Sequence, residues 1–199
     1  MTTTRTNRDR LRFDRLDRLA TVALLWLVVG VTAAYPLFIT LDWALRRQVT
    51  LTGVPVEVDK GAAGAGEVVG GMTEAHVLVG EVSAGHLALL LVGPVLVVAA
   101  AVWGAVLVGR FLRDLAAGTP FDVANVTRLR VVALLLMLVP VGAGLVYSIA
   151  RAEIMDAAGA FGFIVSFTPT WLVAGLLVAA VAQAFAAGSR LQHDVDGLV

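Results

Sequence analysis

Four stretches of this chain run for twenty residues or more without a charged side chain: Leu19 to Leu41, Val82 to Gly109, Val131 to Ala150 and Ala157 to Ser189. Runs of this length exclude most soluble folds. About 20 apolar residues suffice to cross the hydrocarbon core as a helix, the element that satisfies every backbone N–H and C=O within itself. The fourth run is too long for one ordinary span, since as a single helix it would extend roughly 50 Å. Its first part, "FGFIVSF", alternates large and small residues with aromatics, a strand-like signal. Pro169 follows, and "TWLVAGLLVAAVAQAFAAG" then reads as the helix. The expected fold class is therefore an all-α membrane protein, four transmembrane helices with a small extracytoplasmic β layer. The spans fall at 19–41, 84–109, 131–150 and 169–187 within one membrane domain, residues 1–199.

The composition agrees. The chain is 59% hydrophobic and 15% charged, where soluble domains carry about a quarter charged residues. Lys and Arg total 15 against 15 Asp and Glu, so no overall basic character points to direct nucleic-acid binding. With no cysteine there is neither a disulfide nor a thiolate site. No phosphate-binding glycine loop, His-Glu metal motif or nucleophile elbow occurs. No enzyme activity and no cofactor are expected. Glu74, His76, Glu81 and His86 are read as scattered surface residues rather than a metal site, because His76 and Glu81 would point to opposite faces of one strand. "VTAA" at Val31 to Ala34 loosely resembles a signal cleavage site, but the acidic, long N-terminal region and the continuing apolar run favour a retained span.

Charge distribution sets the expected orientation. Arg5, Arg8, Arg10, Arg12, Arg15, Arg18, Arg110, Arg113, Arg128, Arg130 and Arg190 would share one side, against Arg46, Arg47, Lys60 and Arg151 on the other. Both termini are thus expected in the cytoplasm of a multi-pass protein of the inner (cytoplasmic) membrane.

"GTPFDVANVTRLR", residues 118–130, separates the second and third runs. "GRFLRDLAA" before it continues a helical pattern, with Phe111 and Leu115, and Arg110 and Asp114, each four apart. Gly118 suits a left-handed helix end and Pro120 prevents continuation. Asp122 is placed to cap a helix restarting at Val123, with Phe121 and Val126 at the positions of a hydrophobic staple. Residues 110–130 are thus expected to form a rigid cytoplasmic helical hairpin. Arg110, Phe111, Arg113 and Arg128 are its candidate partner-binding residues; Arg130, nearer the apolar run, is expected at the headgroups.

The same turn and the chain end carry a family pattern. A G-x-P-F turn, then an Asn, then Leu-Arg is met by Gly118, Pro120, Phe121, Asn125, Leu129 and Arg130. A closing Phe, Gly, Leu and acidic tail is met by Phe185, Gly188, Leu191 and Asp194, with Val199 last. In these residues the chain resembles an uncharacterised family of bacterial four-helix membrane proteins, domain of unknown function 2975. Gln183 departs from it by replacing an acidic residue, and "DGLV" replaces the usual last residues. The resemblance implies four spans and, for many members, a small helix-turn-helix regulator as partner. It implies no established activity.

Outside the lipid, "VTLT" and "VPVEV" alternate, with Gly53 shifting the phase as a bulge would. "HVLVGEV" is a weaker strand, and "KGAAGAGEVVGG" a flexible connector. With "FGFIVSF" these predict three or four strands over residues 42–83 and 151–168. On the other side, "RDRLRFDRLDRLA" is an amphipathic helix within 1–18 suited to anionic headgroups, and 188–199 is a short tail. Small residues four apart, Ala100 with Gly104 and Gly175 with Ala179, favour close helix packing, within one chain or in a homodimer. The function classes left are a non-catalytic membrane regulator or interaction protein, docking through the hairpin, and a small transporter or channel subunit, suggested by Pro36, Pro94 and Pro140 within the spans.

Overall fold

A computed structural model describes residues 15–58, 71–157 and 169–196. Four helices and one hairpin follow in the order α1 (Arg15–Arg46), β1 (Gln48–Val58), β2 (Gly71–Gly80), α2 (Ala84–Ala116), α3 (Val123–Ala157) and α4 (Thr170–Asp196). All four helices are long and apolar enough to cross a membrane. Their exteriors carry exposed Leu24, Leu27, Phe38, Leu138 and Leu177 among many others, a surface that a monomeric protein does not keep in water. The protein is a multi-pass membrane protein with four candidate spans.

Each helix continues past its uncharged stretch at one end or both. α2 has 33 residues and α3 has 35, roughly 50 Å at 1.5 Å per residue, against about 30 Å of hydrocarbon. The polar ends therefore extend beyond the lipid core. α4 likewise continues through "SRLQHDVD", so most of the expected 188–199 tail is helix. The expectations for the first part of the amphipathic segment (1–14), the glycine-rich connector (59–70), "FGFIVSF" and the last three residues lie outside the described residues.

The described chain packs as two units. One comprises residues 33–96 and 141–167. In it, α1 ends where Arg47 adopts φ 57°, its N–H donating to the Trp43 carbonyl at 2.8 Å. β1 then pairs antiparallel with β2, from Gln48 opposite Gly80 to Val58 opposite Gly71. The register slips between Leu51 and Val54, which leaves Thr52 and Gly53 as the expected bulge. The bulge absorbs the phase change without reversing the chain, so "VTLT" and "VPVEV" form one strand. The β layer is accordingly two-stranded among the described residues. Val49, Leu51, Val82, Leu87, Leu90, Ala150 and Ile154 form its buried core with Ile39. The Trp43 indole N–H donates to the Val82 carbonyl at 2.7 Å, tying α1 to the segment after β2. Ser83 caps α2 by accepting the His86 N–H at 3.2 Å. Gly93 lets α2 approach α3 closely: a Cβ there would stand 2.6 Å from the Ala143 carbonyl oxygen.

The other unit comprises residues 1–32, 97–140 and 168–199. Leu112, Val126, Leu129, Ala133 and Ala182 are buried in it. Of the two small-residue pairs, Gly175 serves a close contact, since a Cβ there would stand 3.0 Å from the Ala133 carbonyl oxygen and collide with Met137. Gly104 serves none: nothing lies within 4 Å of where its Cβ would be.

Candidate interaction site

The α2–α3 turn is built by backbone geometry first. Gly118 adopts φ 81°. Its N–H donates to the Leu115 carbonyl at 3.2 Å, and the Thr119 N–H to the Asp114 carbonyl at 3.1 Å. These are the two bonds of a Schellman motif, which satisfies carbonyls that a helix end otherwise leaves open. Four residues on, Asp122 Oδ1 accepts the Ala124 N–H at 3.1 Å, and the Asp122 carbonyl accepts the Asn125 N–H at 2.9 Å. One helix is thus stopped and the next started within Gly118–Asp122.

Side chains then lock the turn. Asn125 is fully buried, and its Nδ2 donates to the Thr119 carbonyl at 3.1 Å and the Pro120 carbonyl at 3.5 Å. Its Oδ1 accepts from Arg128, whose guanidinium also reaches Asp114 Oδ2 across the two helices. The Asp114 and Arg128 side chains are 22% and 21% exposed, so this ion pair is largely withdrawn from water. Arg113 stands beside the same carboxylate, Nε to Oδ1 3.8 Å, but is 70% exposed.

Three aromatic side chains and one glycine complete the site. The Phe185 ring of α4 meets Phe111 edge-on and Phe121 at a tilt, with centroids 5.5 Å apart in both cases. A Cβ on Gly188 would stand 2.6 Å from Phe121 Cε1, so only glycine admits that ring. Phe121 of the turn and Phe185 and Gly188 near the chain end, all members of the family-like pattern, therefore meet in space. Leu129 is buried and Arg130 is exposed.

Several expected roles change. Arg128 is not a free surface charge, because Asp114 and Asn125 both hold it. Asp114 does not pair with Arg110 one turn earlier; its carboxylate bonds across to α3 instead. Phe111 is half-buried against Phe185 rather than offered to a partner. Phe121 packs on α4 and keeps 38% of its surface exposed. Arg110 and Arg113 are exposed as expected, and Val123, at the start of α3, is 69% exposed.

The arrangement supplies a fixed surface. The Asp114 carboxylate is held by Arg128, and Asp122 is committed to a helix cap. Among the described residues no group of three or more His, Asp or Glu side chains is placed to hold a metal ion. No family model, curated protein or solved structure matches the chain.

Proposed function

We propose that this protein is a non-catalytic membrane regulator or interaction protein of the inner membrane, with both termini in the cytoplasm and the α2–α3 turn as its docking surface. The observation that carries this reading is the lock on that turn. The Schellman motif, the Asp122 cap and the Asp114–Arg128–Asn125 network fix a short connection outside the apolar runs, where a plain linker would serve to join two spans. Binding to a surface already held in one shape avoids the cost of ordering it. The docking residues on this reading are Arg113, Val123 and the open edge of Phe121. The fitting partner is a soluble protein, and the small helix-turn-helix regulator implied by the four-helix family likeness is the candidate.

A photo-crosslinking residue in place of Val123 tests this in native membranes. It should capture a water-soluble protein, and Arg113→Glu should abolish the capture by adding repulsion as well as removing attraction. The same residue in place of Leu177 should capture only lipid. Capture of lipid alone at Val123 would overturn the docking role.

A further inference from the structure

The arginines of this chain divide by what they touch. Among the described residues, Arg46 pairs with Asp42, Arg47 lies with its guanidinium 4.3 Å from the Trp43 ring centroid, and Arg113 and Arg128 flank Asp114. Arg151 is buried and has a partner within the fold. Arg110, Arg130 and Arg190 are exposed, and among the described residues no ion pair, hydrogen bond or ring contact engages their side chains.

These three share a position. Arg110 is the first charge after the uncharged run of α2, Arg130 the last before that of α3, and Arg190 the first after that of α4. Arg18 is the last charge before the run of α1. The helices alternate in direction, so all four runs end in arginine on one side of the membrane. At the opposite ends the first charges are Asp42 on α1, Glu81 ahead of α2 and the buried Arg151 on α3. Among the described residues, exposed arginine therefore ends the apolar runs on one face alone.

We propose that Arg110, Arg130 and Arg190 form a collar that binds the phosphates of anionic phospholipid headgroups. A planar guanidinium matches phosphate with two parallel hydrogen bonds, which an ammonium cannot do. Cations left without a protein partner where the apolar run ends are at the level where those phosphates lie. The inference rests on the four membrane spans and is independent of any docking partner.

Native mass spectrometry of the full chain, exchanged against equimolar phosphatidylglycerol and phosphatidylcholine, reads the selectivity directly. Phosphatidylglycerol should be retained preferentially. Each of Arg110→Gln, Arg130→Gln and Arg190→Gln should lower that preference about fivefold, the effect of one cation near an anionic surface, and the triple variant about a hundredfold. Arg113→Gln, already beside a carboxylate, should leave it within twofold. Arg110→Lys should fall between wild type and Arg110→Gln, since it keeps the charge and loses the fork. An unchanged preference in the three single variants would overturn the collar, even if the triple variant fails to insert. So would an equal loss in Arg113→Gln. Displacement of the lipid by millimolar inorganic phosphate would show a free-anion site instead.

Discussion

Removing Arg128 should cost more than removing the charge of its partner, and the two losses should not add. In Arg128→Met, Asp114 loses its cation across the helices and the buried Asn125 Oδ1 loses its donor together. Breaking a fully buried pair costs about 3–5 kcal/mol, and an exposed one about 0.2–1 kcal/mol. With roughly four-fifths of both side chains covered, the cost of Arg128→Met should be about 2–3 kcal/mol. Asp114→Asn keeps an acceptor oxygen and leaves Arg128 its bond to Asn125, so it should cost about 1 kcal/mol, nearer the net worth of one charged hydrogen bond. Once Arg128 is gone Asp114→Asn should cost almost nothing further, because it then removes a largely covered carboxylate left with only the exposed Arg113 beside it. The coupling read from the double-mutant cycle is therefore about 1 kcal/mol or more. Denaturant unfolding in a mild detergent, followed by tryptophan fluorescence, measures all four proteins. Additive losses would refute the network, and so would an Arg128→Met loss below about 0.5 kcal/mol, which is the behaviour of an exposed pair.

Two further outcomes follow from the packing and the charge pattern. Gly93→Ala and Gly104→Ala make the same change in the middle of α2, and each gains up to about 1 kcal/mol of helix propensity. Gly104→Ala meets open space and should raise the melting temperature in detergent. Gly93→Ala drives a methyl against the Ala143 carbonyl, costs about 1–3 kcal/mol by overpacking, and should lower it. Shifts of the same sign would show that the α2–α3 approach is not tight. For orientation, exposed His76 on β2 and exposed Ala117 at the end of α2 lie at opposite ends of that helix's span. Labelling His76→Cys but not Ala117→Cys with an impermeant thiol reagent on sealed cells is the expected result; the reverse would invert the topology.

Local chemistry was the legible part of this molecule. The four uncharged runs identify the spans, Asp122 marks the restart at Val123, and Gly53 marks the bulge, because each signal acts over a few residues. What could not be read was which side chain closes on which across the fold. Asp114 has an arginine neighbour at Arg113 and another a turn away at Arg110, and nothing in its local sequence points to Arg128 on the next helix. Phe121 offers the same lesson: its position suggests a staple with Val126, and nothing local announces its contacts with Phe185 and Gly188, more than sixty residues later. The family-like pattern contained both groups, but as two separate strings. The reach of α4 to Asp196 was also hidden, since hydropathy ends where the apolar run ends and a helix does not.

The Phe111–Phe185–Phe121 contact sets an order of events during synthesis. The bonds of the turn itself join residues 114 to 128 and can close as soon as the first half of α3 has been made. Phe185 and Gly188 emerge last, after the other three helices. Until then Phe111 has no ring edge to meet and Phe121 has no glycine to lie on, so two phenylalanines next to a finished turn mark the chain as incomplete. A chain that stops before Thr170 therefore keeps its finished turn but leaves both rings without the contacts that α4 brings.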